Sequence, residues 1–298
     1  MIEEGKFIFM DYRKIKNITK AEDFDMGGFP IKQAFPSSRI ESLDPFLLLH
    51  HAEFKVPEHI PVSQSGVGPH PHRGFSPVTF IYKGGVHHKD SRGNDNVVYE
   101  GGIQWINAGM GIIHSERPPE DIFEKGGIQE IIQLWVNTPA AHKMDQPEYI
   151  PLTAEDTVCI RSEDGLVRIM IHVGELQGMK STMRTLLPIN IYSIYMSKGG
   201  KYNIPVTMDH NAFLYLLDGC LLINEKTIVN ENSIVNFNSE GDTITIEALE
   251  ETRVMIGTGM PLKEPIVSHG PFVMNTQTEI MEAINDYKMG KMGVLIEE

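Results

Sequence analysis

The chain has 298 residues, 41% hydrophobic and 22% charged, with 26 Lys+Arg against 40 Asp+Glu. Its length accommodates two ordinary domains, each with its own core, and its composition excludes disordered and fibrous classes. The formal charge of −14 repels nucleic-acid phosphates and anionic membrane surfaces, which argues against direct nucleic-acid binding and a membrane-surface role.

In chain order, the start Met1-Ile2-Glu3-Glu4 is acidic and leads into no apolar core of signal-peptide length. The basic cluster Arg13, Lys14, Lys16 and Lys20 is expected on a solvated strand or turn. Short apolar or alternating runs then recur at 78–82, 97–99, 103–106, 131–136, 167–172, 189–196, 213–217, 220–223 and 243–248. Turn signals separate them at Gly84-Gly85, Gly93-Asn94, Gly101-Gly102, Gly199-Gly200 and Gly241-Asp242. Runs of this length near ten residues apart predict an all-β chain of jelly-roll type. The break near Pro139 and Pro151 places the domain boundary, giving residues 1–140 and 141–298. The second half echoes the first in strand spacing but has no His-x-His, and His172, His210 and His269 stand far apart. It reads as a pseudo-repeat without a metal site.

Near the end, Thr276 and Glu279 have capping-box spacing, and Ile280, Ile284 and Tyr287 follow at helical intervals. A C-terminal helix of about three turns is expected to pack on a barrel and stop at Gly290. The apolar stretch 213–223 is interrupted by Asp218 and Gly219 and is too short to span a bilayer. Cys159 and Cys220 form no CxxC and are expected as buried or partly buried thiols of a reducing compartment, the cytoplasm.

The chemistry concentrates in His70-Pro71-His72 and His114-Ser115-Glu116. In a strand, residues i and i+2 share a face, so each pair aims two ligand side chains one way. Two such strands side by side bring three imidazoles and a carboxylate to one point, a set suited to a divalent transition metal. Pro71 requires an edge or irregular strand, and Gly109 and Gly111 can take backbone conformations closed to other residues. His87 and His88 are expected as surface or outer residues orienting a ligand. Whichever of His50 and His51 faces inward is a candidate for lining the pocket. Trp105 and Trp135 are expected as core fillers.

His70-Pro71-His72-Arg73-Gly74-Phe75, with Val78-Thr79 and Gly84-Gly85 after it, resembles the first motif of the pirin family of cupins. The stretch 88–93, then Gly102-Ile103-Gln104-Trp105 and Ala108 through Glu116, resembles the second. Asp44-Pro45-Phe46 before the site, Gln133-Leu134-Trp135-Val136-Asn137 after it and Gly270-Pro271-Phe272-Val273-Met274-Asn275-Thr276 also match, so the resemblance runs from about residue 27 to 293. It implies two cupin barrels packed together, the first holding one iron, Fe(II) or Fe(III), through His70, His72, His114 and Glu116. Other divalent transition metals are compatible with the same set.

The family includes flavonol 2,4-dioxygenases that cleave quercetin-like molecules with O2 and release carbon monoxide. Four protein ligands on an octahedral ion leave two open positions, as a catalytic site needs. In that role Glu116 would be both ligand and, on loosening, the base for the 3-hydroxyl proton. The alternative is a non-catalytic, iron-dependent regulatory or redox-sensing protein that binds partner proteins, as some relatives do. Two departures bear on activity. Ser76 stands where pirins often carry Glu, which is expected to remove a carboxylate from beside the metal. His50-His51-Ala52 replaces an acidic-aromatic pair.

Overall fold

The computed structural model describes residues 11–26, 28–59 and 65–297; the acidic start at residues 1–4 lies outside them. Alternating burial along the strands, with turns at the expected glycines, builds two β-sandwich barrels. In the first, a four-stranded sheet, in order Val67–His72, Ile112–Arg117, Gly85–Asp90 and Asp95–Tyr99, faces a seven-stranded sheet. The larger sheet runs Glu148–Leu152, Ile103–Asn107, Phe75–Lys83, Gly127–Asn137, Phe46–Val56, Pro30–Phe35 and Glu22–Asp25. The second barrel repeats the plan, its seven strands centred on Asn211–Asp218 and Thr252–Gly259 and its four on Thr243–Ala248 and Cys220–Ile223.

The two large sheets lie back to back. Phe35, Phe46, Val78, Phe80 and Tyr82 of the first join Ile191, Phe213, Tyr215 and Met255 of the second in one apolar layer. Phe213 meets Phe46 and Phe35 edge-on, at ring-centroid distances of 5.1 and 5.7 Å. This layer uses the outward faces of both large sheets, so the inward faces remain for the two barrel interiors. The second interior is filled by Val167, Ile169, Leu214, Leu216, Val235, Ile244 and Ile256, among others. The first mixes apolar side chains such as Ile81, Val86 and Ile131 with histidines, Glu116 and glutamines, and there the two barrels diverge.

Division at residues 140 and 141 is crossed in both directions. Strand Ile15–Lys20 pairs with Ser233–Phe237 of the second barrel, and Glu148–Leu152 pairs with Ile103–Asn107 of the first. Arg13, expected in solvent, is fully buried, with its guanidinium donating to the carbonyls of His210 (2.6 Å), Asn238 (2.7 Å), Ser239 (3.0 Å) and Thr207 (3.2 Å). Four carbonyl acceptors stabilise the buried cation, and no hydropathy pattern signals them.

The C-terminal helix spans Gln277–Lys288 with the expected capping box between Thr276 and Glu279, and Gly290 follows at φ 73°. Ile280 and Ala283 are buried against Phe272, Met274 and Met292, with Ile113 of the first barrel beside them. Arg73, next to His72, ties this segment down through Asp286 (3.0 Å). No helix is long and apolar enough to cross a membrane among the described residues. Cys220 is half-buried as expected, whereas Cys159 is exposed, which corrects the expectation for that thiol.

Candidate metal centre

Strand Val67–His72 forms the edge of the small sheet and pairs antiparallel with Ile112–Arg117, setting His70 opposite His114 and His72 opposite Ile112. The edge position accommodates Pro71, which cannot donate to a ladder. Period-two geometry turns the three rings to one side, and one nitrogen from each of His70, His72 and His114 lies within 4.8 Å of the others. His72 and His114 are buried, while His70 is half-buried.

Hydrogen bonding determines which nitrogens are free. His70 Nδ1 donates to the Gly68 carbonyl at 2.8 Å, leaving Nε2 as the lone pair. Asp90 accepts at 2.9 Å from His88 Nε2. Burial would raise the Asp90 carboxyl, but hydrogen bonds from His88, Asn94 and Arg92 outweigh that and hold it below its ordinary value. A carboxylate can only accept, so His88 donates through Nε2 and accepts through Nδ1. His114 Nδ1, 3.4 Å away, is therefore the donor to His88, and His114 Nε2 carries the lone pair.

Among the described residues, that Nε2 and both ring nitrogens of His72 are buried with no hydrogen-bond partner. Leaving such atoms unpaired costs about 1–3 kcal/mol each, and they cluster in one place. Burial, then the neighbouring imidazoles, holds His72 and His114 well below the usual histidine range, so both rings are neutral at physiological pH, the form that can bind a metal. This donor set fits a divalent metal. His88, fully buried and stacked on Tyr149 at 4.0 Å, is not a surface residue; it supports His114, whereas His87 bonds the exposed Asp95.

Glu116 comes from the same strand past a register shift, opposite Val67. Its carboxylate is outside the 4.8 Å group and reaches the large sheet, accepting from Gln104 Nε2 (2.5 Å), Thr79 Oγ1 (2.6 Å) and Gln133 Nε2 (2.8 Å). These donors belong to a row running straight across five strands. Gln33 opposes His50, His50 opposes Gln133, Gln133 opposes Thr79, and Thr79 opposes Gln104. Composition does not reveal the row, because register alone assembles it.

Two members of the row, His50 and Gln133, line a mostly apolar cleft together with Glu116. Its walls are Met26, Phe29, Ile31, Ala52, Phe54, Val86 and Ile131, with Glu116, His50, Gln129 and Gln133 as polar points. Apolar walls with a few polar points are the chemistry of a small-organic-ligand site. His50 lines it, whereas His51, on the opposite face, bonds Tyr215 and Glu130 at the barrel interface. Trp135 borders the site, packing edge-on to His72 at 5.6 Å and on Phe75 at 4.2 Å; Trp105 is buried core.

Ser76 lies on the other face of its strand from Thr79, donating to Asn107 Oδ1 at 2.9 Å. A carboxylate there would point away from the histidines, so this substitution removes no group from the metal side. Ser76 therefore costs the metal side nothing, contrary to the expectation from the motif.

Gly109 and Gly111, at φ 46° and 131°, shape the approach to His114. A Cβ on Gly109 would lie 2.1 Å from the Asp145 carbonyl oxygen. Gly109→Ala is therefore expected to destabilise the first barrel by more than the ~1–3 kcal/mol of a strained backbone alone, read as a lowered urea midpoint. An unchanged midpoint would show that the turn relaxes freely.

Two back-to-back jelly rolls, one bearing three convergent imidazoles, define a bicupin. The Pirin profile matches residues 28–136 and the Pirin C-terminal cupin domain profile residues 191–293. A Pirin-like protein of Solanum lycopersicum is 32% identical over 282 residues, covering 94% of this chain and 92% of that protein. Pirin of Homo sapiens is 32% identical, with 93% and 92% covered. Among solved structures, a quercetin 2,3-dioxygenase from Acinetobacter baumannii superposes with a TM-score of 0.90 at 35% identity, covering 96% of this chain and all of that one. An Escherichia coli bacterial pirin, YhhW, solved with nickel(II), shares the fold at 18% identity and a TM-score of 0.63, with 84% of this chain and 97% of that one covered. The chain belongs to the pirin family.

Proposed function

We propose that the chain is a metal-dependent dioxygenase of flavonols such as quercetin, with one metal held by His70, His72, His114 and Glu116. The observation that carries this is the cluster of unpartnered imidazole nitrogens beside an apolar cleft walled by aromatic and aliphatic side chains. Iron is the proposed metal. When bound it supplies a Lewis acid that polarises the flavonol oxygens and a redox centre for O2.

The residues then have separate tasks. Phe29, Phe54 and Ile131 offer apolar surface to the flat ring system and exclude water. Glu116 takes the proton of the 3-hydroxyl. Proton uptake requires one of its donors to let go, and Gln133, half-buried on the cavity wall, is placed to do so. The name carried by the A. baumannii structure supports the substrate class. Cleavage across the 2,4 positions with loss of carbon monoxide is the proposed outcome.

Quercetin consumption and carbon monoxide release are to be followed for iron-loaded, apo and His114→Ala protein, under air and under nitrogen. Turnover is expected only with iron and air together. Equal rates for iron-loaded and apo protein would remove the oxygenase reading and leave metal-dependent binding of partner proteins in its place.

A further inference from the structure

The polar row across the large sheet is divided in use. Gln104, Thr79 and Gln133 are committed to Glu116, and Gln133 Oε1 also accepts from Trp135 Nε1 at 3.0 Å, so both polar atoms of Gln133 are occupied. His50 and Gln33 continue the row without touching Glu116. Gln33 Nε2 donates to the Pro36 carbonyl at 2.6 Å, which turns Gln33 Oε1 toward His50 Nε2 at 2.8 Å. An amide oxygen only accepts, so His50 Nε2 carries the proton and Nδ1 carries the lone pair. The His50 ring stacks near-parallel on Phe24, with centroids 6.1 Å apart and planes 24° apart. Among the described residues its Nδ1 has no hydrogen-bond partner, and it is not among the buried unsatisfied atoms. The residue lines the cavity.

We infer that His50 Nδ1 is a specificity-determining acceptor for a ligand hydroxyl. It would select polyhydroxylated flat aromatics over those bearing only the group that meets the metal. This rests on the flavonol reading above and deepens it. Strands lie about 4.8 Å apart, so His50 stands one strand beyond Gln133 and about two beyond Thr79. A ligand with one oxygen at the Glu116 end therefore needs a second hydroxyl on a distant ring to reach His50. Burial pushes the imidazole down to about 4, so the lone pair is present at physiological pH.

The test is anaerobic binding of quercetin and of 3-hydroxyflavone, which keeps the hydroxy-ketone but lacks the other hydroxyls, to iron-loaded protein. Wild type is expected to prefer quercetin. His50→Phe keeps the ring, the stacking and the iron content but is expected to weaken quercetin about 3–10-fold, the worth of one neutral hydrogen bond, leaving 3-hydroxyflavone unchanged. Gln33→Met, which frees the tautomer without altering the ring, is expected to shift the preference the same way by less, and serves if His50→Phe does not fold.

Equal weakening of both ligands, or of neither, in a variant with wild-type iron content overturns the role of His50 and leaves the flavonol reading standing. Failure of iron-loaded wild type to bind either flavonol overturns both.

Discussion

His70→Ala, His72→Ala and His114→Ala are each expected to empty the metal site, and the metal is expected to raise the melting temperature of the wild type but not of these variants. The three imidazoles arrive from two paired strands with their lone pairs already oriented, by the Gly68 carbonyl for His70 and by His88 and Asp90 for His114. Loss of one imidazole from a labile divalent site leaves too few ligands to hold the ion. Binding at a thousandfold excess over Kd stabilises a native state by about 4 kcal/mol, a shift on the order of 10 °C for a chain of this size. Glu116→Gln is expected to weaken occupancy less, because its carboxylate stands apart from the imidazole cluster and is held by the large sheet. Elemental analysis should give one metal per chain. Full occupancy in a His70→Ala/His114→Ala variant would sink the assignment, as would a second metal per chain that disappears in His210→Ala.

What could be read from the chain follows from what was local in it. The convergence of His70, His72 and His114, the turn glycines, the capping box at Thr276 and the edge strand implied by Pro71 follow neighbours in sequence, whereas Glu116, past a register shift, stands apart from the imidazoles it was expected to join. Misread features depend on register. Ser76 was expected beside the metal, but one position along a strand is the difference between its two faces. Of the two places open to His88, surface or behind a ligand, it takes the second, because Tyr149, 61 positions away by the numbering, covers it from a strand that crosses back to the first barrel. Arg13 finds its carbonyls in the other half of the chain. The polar row draws on positions 33, 50, 79, 104 and 133, a spacing with no period, so it exists only once the sheet is assembled. The second barrel's apolar filling is the physical counterpart of its missing His-x-His: similar strands, with branched aliphatics on the inward face.

Glu130→Gln is expected to cost about 3–5 kcal/mol at neutral pH, the penalty for breaking a buried ionic network by removing one partner. Glu130 is fully buried on the outward face of the first large sheet. Its carboxylate accepts from both terminal nitrogens of Arg253 at 2.8 Å, from Lys83 at 2.9 Å and from His51 Nε2 at 3.2 Å. Arg253 belongs to the second barrel and also holds Asp218, so the network spans the apolar layer between the barrels. Burial would push the Glu130 carboxyl up, but the hydrogen bonds from His51, Arg253 and Lys83 outweigh it and hold the group far below the ordinary carboxylate range. With the folded value depressed, the stabilisation is fully present above the unfolded value near ~4.3 and is lost as pH falls toward the folded value. Urea unfolding at pH 7 should therefore separate wild type from Glu130→Gln, with the gap narrowing as the pH falls below about 4. Since replacing both partners by apolar groups avoids an uncompensated charge, Glu130→Leu/Arg253→Met should cost less than the sum of its two single changes. A gap independent of pH, or additive single and double variants, would place the strength of the interface in its apolar layer alone.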